Sequence, residues 1–89
     1  MNIKITKMSK KEIEEKGIDK WPVWEKEISE FDWYYSEKES CYFIEGEVEV
    51  TDSNGNKYKI KKGDYVEFPK GLSCQWKVIK PVKKYYNFG

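Results

Sequence analysis

The 89 residues, 10.7 kDa in all, set the scale of a single domain, residues 1–89, since domains run roughly 50–250 residues. Charged residues make up 37% of the chain, yet 17 lysines plus arginines nearly cancel 16 acids, and a net charge of +1 offers no field to gather nucleic acid or an acidic membrane. Histidine is absent, which excludes His-based triads, imidazole general bases and His-ligated metal sites.

Residues 2–6 alternate, with Ile3 and Ile5 on one side of a short half-buried strand. Ser9 stands three residues before Glu12 in a capping box, Met8 and Ile13 can form a hydrophobic staple, and Gly17 supplies a stop, so a helix is expected over about 10–16. Residues 1–20 thus form an N-terminal strand and helix, and 21–89 the remaining body. The segment Trp21-Pro22-Val23-Trp24 reads as irregular, because proline is excluded from helix interiors and central strands.

Period-2 patterns follow. Glu39, Cys41 and Phe43 share one face of a strand over 39–44, and Gly46 breaks the run. A second run over 47–51 turns Val48 and Val50 inward. Asp52-Ser53-Asn54-Gly55 is a hairpin turn, since Asn and Gly accept positive φ, and Tyr58 and Ile60 mark the return strand. Further turns at Gly63-Asp64 and Pro69-Lys70-Gly71 bracket strands at Tyr65–Phe68 and Cys74–Val78, and a last strand is expected near Tyr85–Phe88. Short strands with turns at this spacing indicate an all-β barrel or sandwich with one short N-terminal helix.

Gly63, Pro69, Gly71 and Cys74 stand at the spacing of the second cupin motif, with Cys74 where a histidine would fall. Glu39 and Gly46 resemble the end of the first cupin motif, whose glutamate binds metal. The strings Glu-Ser-Cys-Tyr-Phe-Ile-Glu-Gly-Glu-Val-Glu-Val and Gly-Asp-Tyr-Val-Glu-Phe-Pro-Lys-Gly-Leu-Ser-Cys-Gln-Trp-Lys-Val resemble the small cupins related to ureidoglycine aminohydrolase and the ethanolamine-utilisation Q protein. The likeness extends from about Trp21 to Phe88 and implies an RmlC-like cupin jelly-roll barrel with a ligand site in its mouth. It also implies a homodimer.

In that register the four metal-binding places read Trp33, Tyr35, Glu39 and Cys74. A metal-free small-molecule-binding barrel is therefore expected, with no cofactor and a small polar organic ligand. Its pocket would be lined by Trp33, Tyr35, Glu39, Cys41, Phe43, Cys74 and Trp76. Two alternatives stand beside it. One is a metal-dependent enzyme akin to ureidoglycine aminohydrolase, with Glu39 catalytic and a divalent zinc or manganese held by Glu39, Cys74 and Tyr35. The other, a single-stranded nucleic-acid-binding barrel, is opposed by the near-neutral charge, so no nucleic-acid partner is expected.

For Glu39 the resemblance leaves two roles: a carboxylate raised by desolvation and available as acid, base or anchor, or one satisfied by a tyrosine hydroxyl or an indole N–H. Cys41 and Cys74 read as small buried hydrophobes rather than reactive thiols, with no base beside them. The rings of Trp33, Tyr35, Phe43, Trp76 and Tyr85 either fill the barrel or wall a pocket. Lys77, Lys80, Lys83 and Lys84 read as a solvated face. No apolar run approaches the roughly 20 residues of a membrane span, and the first residues lack the apolar stretch of a secretory signal. A cytoplasmic protein with no membrane contact is expected.

Overall fold

Two long strands, β4 (Glu39–Asp52) and β7 (Ser73–Phe88), lie antiparallel to each other along nearly their whole length in the computed structural model, which describes residues 2–89. Every other strand but the first in the chain pairs with one of them. β6 (Asp64–Phe68) pairs with the first part of β4, from Glu39 to Tyr42, and carries β1 (Lys4–Lys7) on its other edge. β2 (Val23–Lys26) pairs with the last part of β7. β5 (Lys57–Lys61) pairs with the second part of β4, and β3 (Ser29–Tyr34) with the first part of β7. One hydrogen-bonded sheet therefore has two leaves, joined where β4 and β7 bend together.

The bend is written in the burial pattern. In β4, Glu39, Cys41 and Phe43 are buried at odd positions, whereas Val48, Val50 and Asp52 are buried at even ones. The register between β4 and β7 slips between Phe43 and Val48. An extra residue in one strand moves every later side chain to the opposite face. The two runs read separately on either side of Gly46 are thus one strand with a bulge, not two strands. Gly46 has φ +99°, and a Cβ on it would meet the Pro81 carbonyl oxygen and come within 2.7 Å of Val82 Cα. Only glycine fits so close to a neighbouring backbone.

Side chains from both leaves meet in one core: Cys41, Phe43, Val66, Phe68 and Val82 from one, Val48, Val50, Ile60, Cys74, Trp76 and Val78 from the other. This is the interior of the expected jelly-roll barrel. Helix α1 (Lys10–Glu15) has both halves of its capping box, with the Glu12 amide donating to Ser9 Oγ at 3.2 Å. Gly17, at φ 69°, leads into a single 3₁₀ turn, Ile18–Lys20.

Four points differ from these expectations. The strand placed at residues 2–6 runs from Lys4 to Lys7. The segment after Pro22 is a strand rather than irregular: Pro22 stands just outside β2, an edge strand that needs no donor from it. β3 had no counterpart in the sequence analysis, although Phe31 and Trp33 alternate there with Glu30 and Asp32; Trp33 and Tyr34, side by side and both exposed, interrupt the pattern. The strands read separately at Cys74–Val78 and Tyr85–Phe88 are the two ends of β7, which Pro81 bends without ending.

Candidate functional site

The site begins with one feature of β7. Cys74, Trp76, Val78, Val82 and Lys84 all sit at even positions, and all five are buried. Strand alternation therefore turns Lys84 into the barrel, although its residue type marks it for the surface. Its cross-strand neighbours are Trp24 on β2 and Phe43 on β4. The ammonium lies 4.8 Å from the ring centre of Trp76, 5.0 Å from Trp24, 5.8 Å from Phe68 and 5.9 Å from Phe43. Each ring face attracts the cation, most strongly where water is excluded.

Glu39, at the start of β4, accepts a 3.0 Å hydrogen bond from Lys84 Nζ on its Oε2. Both residues are nearly closed off, at 4% and 3% exposure. The partner expected for this carboxylate was a tyrosine or an indole; it is an ammonium. Lys84 is accordingly not part of a solvated lysine face, unlike the exposed Lys77 and Lys80.

Above the pair opens a cavity of about 180 Å³ lined by Trp24, Phe31, Trp33, Tyr35, Trp76, Tyr86 and Phe88, with Glu39 and Lys84 as its polar residues. The rings are in mutual contact. Trp76 meets Trp24 edge-on at 5.7 Å and stacks on Phe31 at 5.9 Å, and Tyr35 lies flat on Phe68 at 4.7 Å. Trp33 packs edge-on against both Phe31 and Tyr35 but is 46% exposed, so it forms the rim rather than the interior.

Of the seven pocket residues expected, Trp33, Tyr35, Glu39 and Trp76 line this cavity. Phe43 lies behind Lys84 as one wall of its cage. The two cysteines are elsewhere. Cys41 donates to the Val66 carbonyl at 3.7 Å, and Cys74 donates to the Trp33 carbonyl at 3.7 Å while lining a separate shallow depression with Asp32 and Asp52. Trp24, Phe31, Tyr86, Phe88 and Lys84 escaped the sequence reading. The even register of β7, carried through Pro81, was the signal that could have found Lys84.

Burial holds the Tyr35 hydroxyl far above its ordinary range, helped by the nearby Glu39 carboxylate. The Trp76 N–H favours ionisation of both Tyr35 and Cys74, but at a geometry short of a hydrogen bond, and Tyr35 Oη and Trp76 Nε1 are buried without partners. Burial pushes the Cys41 thiol up to about 12 despite the attraction of Lys84, a base that the sequence reading did not place there. It lifts Cys74 to about 11.

These shifts give a pH dependence. An unfolded cysteine ionises near ~8.5. Above that pH, unfolding releases a thiol proton that the folded state retains, so stability falls by about 1.4 kcal/mol per pH unit for each such group. Urea unfolding followed over about pH 8–11 is expected to show the decline, and Cys41→Ala to remove about half of its slope at the onset. An unchanged slope in that variant would assign the effect elsewhere.

The same facts bear on a metal. The trio named for one, Glu39, Cys74 and Tyr35, does not make a fitting donor set: the hydroxyl and thiol are held protonated by burial, and the carboxylate already faces an ammonium that repels a second cation. No group of three His, Cys, Asp or Glu among the described residues is placed to hold a metal ion.

Comparison with known proteins agrees with the fold. The family model of the EutQ-like cupin domain matches residues 13–86. A DUF861-family protein from Thermotoga maritima is 56% identical over 99% of this chain and 100% of its own, and superposes with a TM-score of 0.95. The EutQ protein of Clostridium difficile is 26% identical over 74% of this chain, with a TM-score of 0.68; the match spans 52% of that protein's length. A putative ethanolamine utilization protein Q from Salmonella typhimurium shares the fold at 22% identity, over 99% of this chain and 69% of its own, with a TM-score of 0.67. No curated protein matches this chain. With its jelly-roll barrel and a family match over most of its length, the chain belongs to the EutQ-like cupin family.

Proposed function

We propose that this barrel binds a small, mainly apolar molecule, such as a single-ring compound, that brings one polar group to the Glu39–Lys84 pair. The observation that carries the reading is the cavity itself: seven aromatic side chains surround a floor whose polar residues are one carboxylate and one ammonium. Such a composition, apolar walls with a few fixed polar groups, is what small-molecule sites share. It favours a less polar ligand than the small polar organic molecule expected from the sequence. A cationic ligand is disfavoured, because Lys84 already fills the cation-binding faces of Trp24 and Trp76. The polar group is best an acceptor, a hydroxyl or carbonyl oxygen facing the ammonium.

Thermal unfolding in the presence of benzyl alcohol, phenol, benzaldehyde, benzylamine and glucose tests this. The neutral aromatics are expected to raise the midpoint and quench tryptophan fluorescence, whereas benzylamine and glucose are not. A ligand at 100 times its Kd stabilises by about 2.7 kcal/mol, which the midpoint shift would register clearly. Trp33→Ala removes a rim ring that is half exposed. It is expected to weaken binding by about 0.5–1.5 kcal/mol with little effect on the fold. Equal responses to benzylamine and benzyl alcohol would count against the reading.

A further inference from the structure

Lys84 is more than a counter-ion. We propose that its amine condenses with a small aldehyde or ketone in the cavity, with Glu39 as proton carrier, and so makes the barrel a carbonyl-capturing site. The inference rests on the cavity reading above and deepens it by naming the ligand's reactive group.

Three observations support it. First, Nζ has a proton acceptor in place, Glu39 Oε2 at 3.0 Å. A lysine attacks only as the free amine, and a base set beside the nucleophile can take its proton; Glu39 stands in that place. Second, Glu39 and Lys84 line the cavity that the aromatic rings wall, so a carbonyl bound there lies at the amine. Third, the cage stabilises the product as well as the reactant. The rings of Trp76 and Trp24, 4.8 and 5.0 Å from Nζ, attract an iminium as they attract an ammonium.

The step balances without an external reagent. Glu39 takes one proton from the ammonium, and the nitrogen lone pair forms a C–N bond as the carbonyl π pair moves to oxygen. That oxygen takes the proton back from Glu39. Glu39 then removes a second proton from nitrogen and delivers it to the hydroxyl, which leaves as water while the nitrogen lone pair forms the C=N bond. One ammonium and one carbonyl become one iminium and one water. Positive charge on nitrogen and negative charge on Glu39 are the same before and after, so the buried pair is restored at the end.

The chain's other lysines serve as internal competitors. Protein is incubated at neutral pH with benzaldehyde and cyanoborohydride, which reduces an iminium to a stable benzylamine, and the modified positions are mapped by peptide mass spectrometry. General base assistance contributes about 10²–10⁴-fold, so Lys84 is expected to be labelled at least about tenfold faster than any exposed lysine. Lys84→Arg, which keeps the charge and the pairing, should lose that fast phase and retain the slow surface labelling. Tryptophan quenching by benzyl alcohol, which has no carbonyl, is measured in parallel. Quenching by both compounds with Lys84 unlabelled would overturn the capture and leave the cavity reading intact. Failure of both compounds to quench, with Lys84 unlabelled, would overturn both.

Discussion

Lys84→Met is expected to destabilise the barrel by about 3–5 kcal/mol. The substitution keeps most of the side chain's volume but removes the charge paired with Glu39. The carboxylate is 4% exposed and accepts a single hydrogen bond within the described residues, from Lys84 Nζ. A buried charge stripped of its partner costs far more than the pair contributes. Glu39→Leu should be harmful for the mirror reason, since it leaves an ammonium among aromatic rings with no counter-charge. The double variant is expected to recover most of the loss, because a well-packed apolar pair of similar volume is often as stable as the ion pair it replaces. Urea unfolding of the wild type, both single variants and the double variant completes the cycle. Additive losses would mean that the two side chains do not depend on each other in the folded state.

Gly46→Ala is expected to cost of order 4 kcal/mol, for two separable reasons. Its φ of +99° is strained for any residue with a Cβ, and the new methyl group would press on the backbone of Pro81 and Val82, which cannot swing aside as a side chain could. Gly55→Ala isolates the first term. That glycine has φ +84° and nothing within 4 Å of an added Cβ, so roughly 1–2 kcal/mol is expected there. Denaturant midpoints of the two variants should therefore differ clearly, and equal losses would show that β4 can move away from β7 at the bulge.

Local features of this fold are legible in the sequence and long-range ones are not, for physical reasons. Turns announced themselves, because Gly55 and Gly63 supply positive φ at no steric cost. The capping box at Ser9 and Glu12 is local chemistry and needed no tertiary context. The spacing of Gly63, Pro69, Gly71 and Cys74 carried the fold family. Strand continuity was harder to see, since a bulge at Gly46 and a proline at position 81 look like ends in a one-dimensional pattern. Lys84 was misplaced for a related reason. Residue type says surface, whereas the register of β7 says interior, and register decides because four neighbouring aromatic side chains and Glu39 fix that end of the barrel. The cavity itself could not be read from spacing, since Trp24, Phe31 and Tyr86 come from three different strands that meet only in three dimensions.

The sharing of β4 and β7 between the two leaves also governs how the chain comes together. Its central pairing runs from Asp52 opposite Cys74 outward to Glu39 opposite Phe88, so each added rung joins residues farther apart along the chain. Contacts of such long separation must close large loops before they repay the entropy, which places barrels of this kind among the slow two-state folders, in milliseconds to seconds. Neither leaf can persist alone, because each borrows half of both central strands from the other. Amides on the two leaves should then exchange with solvent through one common opening, and the barrel should behave as a single cooperative unit whose lifetime is set by the hinge at Gly46 and Pro81.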